Sequence, residues 1–143
     1  MSVQSALLYE LENNAAVGAL IGTDIYDTMA PRGAGFPRII LTQVSGSSEH
    51  QLRGETRVAN TRIQIASWGT TVDSAIATSD AVRLAISGKT GQWGAGANLA
   101  TIESCTRQGS FQSVEDPVDG REVRPAIGVI EEYSVIYIQT PAT

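Results

Sequence analysis

The chain has one cysteine, one histidine and one lysine in 143 residues, and each scarcity removes a class of chemistry. With Cys105 alone there is no intrachain disulfide, and no zinc site built on four cysteines or on paired cysteines and histidines within one subunit. With His50 alone, any histidine-dependent mechanism rests on a single residue. The lone Lys89 stands against nine arginines. Arginine's planar fork pairs two-pronged with carboxylates and stacks on aromatic rings, so this bias points to assembly, with Arg-favouring codon composition as the plain alternative. No apolar run approaches the roughly 20 residues that cross a bilayer, and Met1-Ser2-Val3-Gln4-Ser5 lacks the basic start of a secretory signal. The expectation is a protein made in a cytoplasm, without a membrane partner. The net charge of −5 opposes any general grip on DNA, since phosphate binding needs a concentrated positive field.

What is present reads as one folded α+β domain over residues 1–143. Hydrophobic residues make up 42% and charged residues 17%, an ordinary balance for a chain with a core. Val3, Leu7, Leu8 and Leu11 repeat at helical spacing behind Ser2, and Asn13-Asn14 reads as the end or a break. Ile25-Tyr26 is a short extended piece, and 29–37 is loop. Strands are expected at 38–45, 57–68, 99–107 and 126–139. A second helix follows Thr71, with Val72, Ile76, Ala77, Val82 and Ile86 as its stripe. Strands joined without helices favour antiparallel pairs, so the expected architecture is a mainly antiparallel sheet of about four strands with two helices on one face. The last strand, apolar on both faces, belongs at the centre. Polar Gly46–Glu55, Gly-rich Lys89–Asn98 and the turn-rich Gln108–Pro125 read as connections, the last as a hairpin.

Motifs that carry chemistry are few. Ser87-Gly88-Lys89-Thr90 resembles the end of a phosphate-binding loop, but Arg83 stands where the first glycine is needed and a helix precedes it instead of a strand. Gly91, Gly94 and Gly96 do not fit the dinucleotide pattern. Cys105 and His50 could form a nucleophile and base, yet nothing supplies a third, orienting group, and a lone strand cysteine reads as a small buried residue. Glu131 and Glu132, adjacent on a strand, point to opposite faces and share no site. Turn chemistry accounts for Asp116 and Asp119. No catalytic, cofactor or metal site is expected. Trp68 reads as packing the helix onto the sheet, and Trp93, in its glycine-rich surroundings, as an exposed contact for another chain.

The ordered features resemble one family. The N-terminal helix, then Val17-Gly18-Ala19-Leu20-Ile21-Gly22-Thr23-Asp24-Ile25-Tyr26, Ala30-Pro31 and Phe36-Pro37-Arg38-Ile39-Ile40-Leu41, are similar to siphovirus tail-completion, or tail terminator, proteins that join tail to head. So are Val44-Ser45-Gly46, the strand Thr61-Arg62-Ile63-Gln64-Ile65-Ala66-Ser67-Trp68, the helix around Ser79-Asp80-Ala81-Val82-Arg83, and Tyr133-Ser134-Val135-Ile136-Tyr137. Asp24 stands where a basic residue is more usual, and Gln108–Pro125 is longer than usual. The resemblance implies a structural virion protein, not an enzyme: a homo-oligomeric, hexameric ring at the head-tail junction, assembled in the host cytoplasm. It would contact the tail-tube protein on one face and a head-completion or stopper protein on the other. DNA would pass through the lumen without sequence-specific binding. A phage, a prophage remnant or a gene transfer agent could each use such a ring.

A ring repeats a heterologous contact, so one surface must complement a different one on the next copy. The candidate interface residues are His50, Arg53, Glu55 and Arg57 in one loop, Asp116, Asp119, Arg121 and Glu122 in the other, and Trp93. The alternatives are a neighbouring connector component, a cysteine hydrolase using Cys105, and a ferredoxin-like domain holding a small molecule.

Overall fold

The computed structural model describes residues 3–28, 35–51, 54–94, 100–115 and 126–138, with the backbone alone at 45–51, 54–57 and 114–115. Helix α1, Val3–Glu12, buries Val3, Leu7 and Leu11 as its spacing predicts, with Ala6 buried beside them and Leu8 half-buried. Its polar Gln4 is buried too. The Gln4 amide donates to the Leu41 carbonyl at 3.0 Å and to the Asp27 carboxylate, which ties α1 to the strands beneath it. The break expected at Asn13-Asn14 is there: α1 ends at Glu12, and Asn14 starts a second helix, α2, Ala15–Ile21, by accepting from the amides of Ala16 and Val17 at 3.1 Å. Helix α3, Val72–Ile86, is capped by Thr71, whose hydroxyl accepts from the Ser74 amide at 3.1 Å.

The strands are β1, Ile25–Asp27; β2, Arg38–Gln51; β3, Gly54–Gly69; β4, Gly91–Trp93; β5, Ala100–Glu115; and β6, Ala126–Ile138. They form one sheet in the order β1-β2-β3-β6-β5-β4. The class is α+β as expected, but the count is six strands and three helices, and the sheet is mixed because β1 runs parallel to β2. The other neighbours are antiparallel. Central placement of the apolar strand β6, between β3 and β5, follows its pattern. Two long hairpins, β2–β3 and β5–β6, meet along the β3–β6 seam.

Strand alternation divides the sheet into two faces. Ile39, Leu41, Ile63, Ile65, Cys105, Tyr133 and Val135 join Leu7, Leu11, Val17, Val82 and Ile86 of the three helices in one buried cluster. The opposite face carries Arg62, Gln64 and Glu132 at its centre, with Arg62 and Glu132 3.7 Å apart. Toward one end that face turns apolar: Ile40, Ala66, Ile130 and Phe111 stand opposite one another across four strands.

Trp68 corrects its expected role. It alternates onto the helix-free face, where its ring lies over Gly128; a Cβ at 128 would meet ring atoms at 2.8–3.0 Å. The helix is packed by smaller residues on the other face, among them Ile65 and Ser67.

Candidate functional site

The stretch 46–51, expected as an exposed connection, continues β2, and 54–57 belongs to β3. Register places His50 opposite Glu55 near the hairpin tip, Arg57 follows in the same strand, and Arg53 lies outside the described residues. The expected connection 108–125 likewise begins as strand, since β5 runs to Glu115 and pairs it with Ala126. Asp116, Asp119, Arg121 and Glu122 lie outside the described residues.

The described parts of the two hairpins run to opposite ends of the sheet. In the β3–β6 seam Val58 pairs with Ile138 and Gly69 with Ile127, so the β2–β3 tip leaves one end of the sheet and the β5–β6 tip the other. The 16 residues of β3 at ~3.3 Å each put roughly 50 Å between these ends.

Trp93 is placed differently from its expectation. It sits in β4, only 6% exposed, inside the core cluster. Glycines surround it in sequence, but pairing with Ala100 of β5 and the bond from the Gly94 amide to Glu10 of α1 at 3.3 Å seat it under that helix. Burial removes the exposure on which its contact role was argued.

The Cys105–His50 pair does not form. Cys105, Val135, Thr61 and Gly46 lie in one cross-strand row. His50 is four residues further along β2, so three strand spacings of ~4.8 Å and four residues of ~3.3 Å leave roughly 20 Å between them. Burial also pushes the Cys105 thiol up to about 12, which keeps it protonated and unreactive near neutral pH. At the phosphate-loop-like segment the backbone amides are already engaged, Ser87 with the Arg83 carbonyl at 2.9 Å and Gly88 with the Cys105 carbonyl at 2.7 Å.

Glu131 and Glu132 do face opposite ways, and the buried one is a feature the sequence reading passed over. Glu131, 2% exposed, accepts from the Ser79 hydroxyl of α3 and pairs with Arg107 of β5 at 3.1 Å. Its signal was the alternation Glu131, Tyr133, Val135, which puts a carboxylate on the core face. Tyr133 beside it is fully buried, and its hydroxyl has no hydrogen-bond partner among the described residues. Burial first, then the negative Glu131, holds its phenol well above the ordinary range. Near α2, the Tyr26 hydroxyl donates to Asp24 at 2.8 Å, and this bond raises its pKa. The Glu131 contacts tie β6 to α3 and β5, whereas the Tyr26–Asp24 bond is local to β1 and the residue before it.

The surface, by contrast, carries unspent apolar area. Leu84 is 69% exposed and Phe111 53%, with Leu20, Ile76, Val72 and Val44 also open. A groove of about 520 Å³ between α2 and α3 is lined by Ala16, Ala19, Leu20, Ala77, Ala81 and Leu84. Exposed apolar area of this kind on a small chain marks contact surfaces.

Residues 5–124 match the family model described as Tail completion protein gp17. The chain belongs to the tail completion protein gp17 family. Its place there makes it a tail completion protein of a phage-like tail, and the exposed apolar surface suits a subunit built to be covered. The fold recurs among solved structures: a chain in the virion of a native gene transfer agent particle superposes with a TM-score of 0.70 at 16% identity, covering 94% of this tail completion chain and 93% of that one. No curated protein sequence matches the chain. Among the described residues, no helix is long and apolar enough to cross a membrane.

Proposed function

We propose that the protein ends the tail tube: six copies close into a ring that caps the tube and joins it to a head-completion or stopper protein, and DNA passes through the lumen. The role is structural and its place is the neck of the particle. Family membership supports the reading, and one structural observation carries it further. The two long hairpins leave the sheet at opposite ends, so each subunit has two dissimilar poles. A ring between two different neighbours needs such poles, and its lateral contact must join unlike surfaces of adjacent copies. The β2–β3 pole offers His50, Arg53, Glu55 and Arg57, and the β5–β6 pole offers Asp116, Asp119, Arg121 and Glu122, for the tail tube, the head side or the adjacent copy. A chain of net charge −5 leaves passing DNA unheld.

Electron microscopy of intact particles, with antibody or a fused tag marking this chain, tests the assignment. The expected result is a six-fold ring at the tail's head-proximal end. Label on the tube shaft, at the distal tip or on the capsid would refute it, and label one layer nearer the head would assign the stopper position instead.

A further inference from the structure

The turn that ends α3 builds a basic cleft. Gly88 adopts a positive φ of 75°, and its amide bonds to the Cys105 carbonyl at 2.7 Å, which fixes the start of the next segment against β5. Lys89 therefore stands beside Arg83 of α3 and Arg107 of β5. These three cations, with Leu84, Ser87 and Thr106, line a cleft of about 500 Å³. Arg83 shares its charge with Asp80 at 3.4 Å and Arg107 with buried Glu131 at 3.1 Å. Lys89, exposed, has no carboxylate within salt-bridge reach among the described residues. Leu84 lines both this cleft and the apolar groove between α2 and α3, so the two form a continuous surface. With Arg83 and Arg107 each sharing its charge with one carboxylate, Lys89 leaves the cleft one positive charge in excess on a chain with five more acids than bases, which favours an acidic occupant.

We propose that this cleft receives the acidic β5–β6 tip of a second copy of the chain. Glu115-Asp116-Pro117-Val118-Asp119-Gly120-Arg121-Glu122 carries four carboxylates against one guanidinium, the densest acidic run in the sequence. Exposed Phe111 precedes it on β5, so the approaching strand has apolar as well as acidic character to offer Leu84 and its groove. The inference rests on the ring reading, for which it names the lateral contact: tip of one copy, cleft of the next.

The single lysine makes the test direct. A carbodiimide joins an amine to a carboxylate it touches, and Lys89 is the only side-chain amine. The full-length protein, as an equal mixture of unlabelled and nitrogen-15-labelled chains, is coupled at low salt and mapped by peptide mass spectrometry. The expected products are mixed-label links from Lys89 to Glu115, Asp116, Asp119 or Glu122, fading as salt is raised. Lys89→Arg keeps the charge, so it abolishes the links and preserves assembly in sedimentation velocity. Lys89→Glu with Arg83→Glu, folded by circular dichroism, weakens self-association at least about tenfold. Same-label links alone, links to other carboxylates, or no link would overturn the proposal. So would loss of Lys89 reactivity on adding duplex DNA without inter-chain products, which assigns the cleft to phosphate. The two readings fail separately: rings in which Lys89 stays uncoupled sink only the cleft contact, and tip-to-cleft links in an oligomer that never closes sink only the ring.

Discussion

Replacing Tyr133 by phenylalanine is expected to stabilise the protein, against the usual direction of core substitutions. The Tyr133 ring is fully buried, and its hydroxyl lacks a partner among the described residues. Leaving a buried hydroxyl unsatisfied costs about 1–3 kcal/mol. Removing it recovers that cost and leaves a gap smaller than a methyl group, which takes back less than about 1 kcal/mol. The net expectation is a gain of about 1 kcal/mol. For 143 residues at ~2.1 cal/mol/K each, the unfolding entropy is about 0.3 kcal/mol/K, so Tm rises by about 3 °C. The gain should grow in alkali. Tyr133's folded pKa is raised by burial and then by Glu131, so its contribution is fully present below the unfolded value of 10 and is lost as pH climbs above it. Each pH unit in that window costs the wild type up to about 1.4 kcal/mol that the phenylalanine variant keeps. Urea denaturation at pH 7 and pH 11 measures both effects. A variant destabilised by 1 kcal/mol or more at pH 7 would mean that the hydroxyl is satisfied in solution, and parallel losses of stability above pH 10 would mean that it is not desolvated.

Three further perturbations test the core and the sheet. Arg107→Ala removes the cation over buried Glu131; breaking such a pair costs about 3–5 kcal/mol when both partners are buried, and about 2 kcal/mol here because Arg107 is 43% exposed. Adding Glu131→Gln should recover part of that loss in the same urea titration, and no recovery would place the damage elsewhere. The Cys105 thiol, held at about 12 by burial, should resist alkylation at pH 8 until the chain unfolds; wild-type stability should fall from pH 9 to about 12 as only the unfolded thiol ionises, and Cys105→Ala should flatten that decline. Gly128→Ala drives a methyl into the Trp68 ring, with an expected cost of about 1–3 kcal/mol and a shift in tryptophan emission; unchanged emission and stability would mean that the ring does not lie over residue 128.

How far the sequence foretold this structure varies by element, for physical reasons. Helix α3 was readable because a Thr71 cap and an apolar stripe agree. Helix α2 was hidden because asparagine serves both to stop a helix and to cap one, and only the bonds to Ala16 and Val17 decide between them. Gly46–Gln51 looked like loop because its residues are glycine and polar side chains without an apolar alternation, although register pairs Gly46–Ser48 with Thr61–Ala59 inside the β3–β6 seam. Strand β4 is three residues held by β5, too short for any periodicity. Trp93 was misplaced because glycines on either side say nothing about α1 lying above it. Composition could nominate charged connections, but only strand register shows that β2–β3 and β5–β6 run to opposite ends of the sheet. The basic cleft was beyond pattern reading, since Arg83, Lys89 and Arg107 meet through a turn and a strand pairing.

The β3–β6 seam also governs how the molecule comes into being. It joins residues 58–69 to 127–138, whereas each hairpin pairs residues near one another in sequence. On a ribosome the β2–β3 ribbon can close early, yet its apolar row of Ile63 and Ile65 stays without its partner strand until β6 has been synthesised. Pairing across such a separation is slow, and the waiting edge invites other chains. The strand that completes the core is the one that returns from the β5–β6 tip, so a nascent subunit cannot hold that tip on a finished sheet before its core is closed.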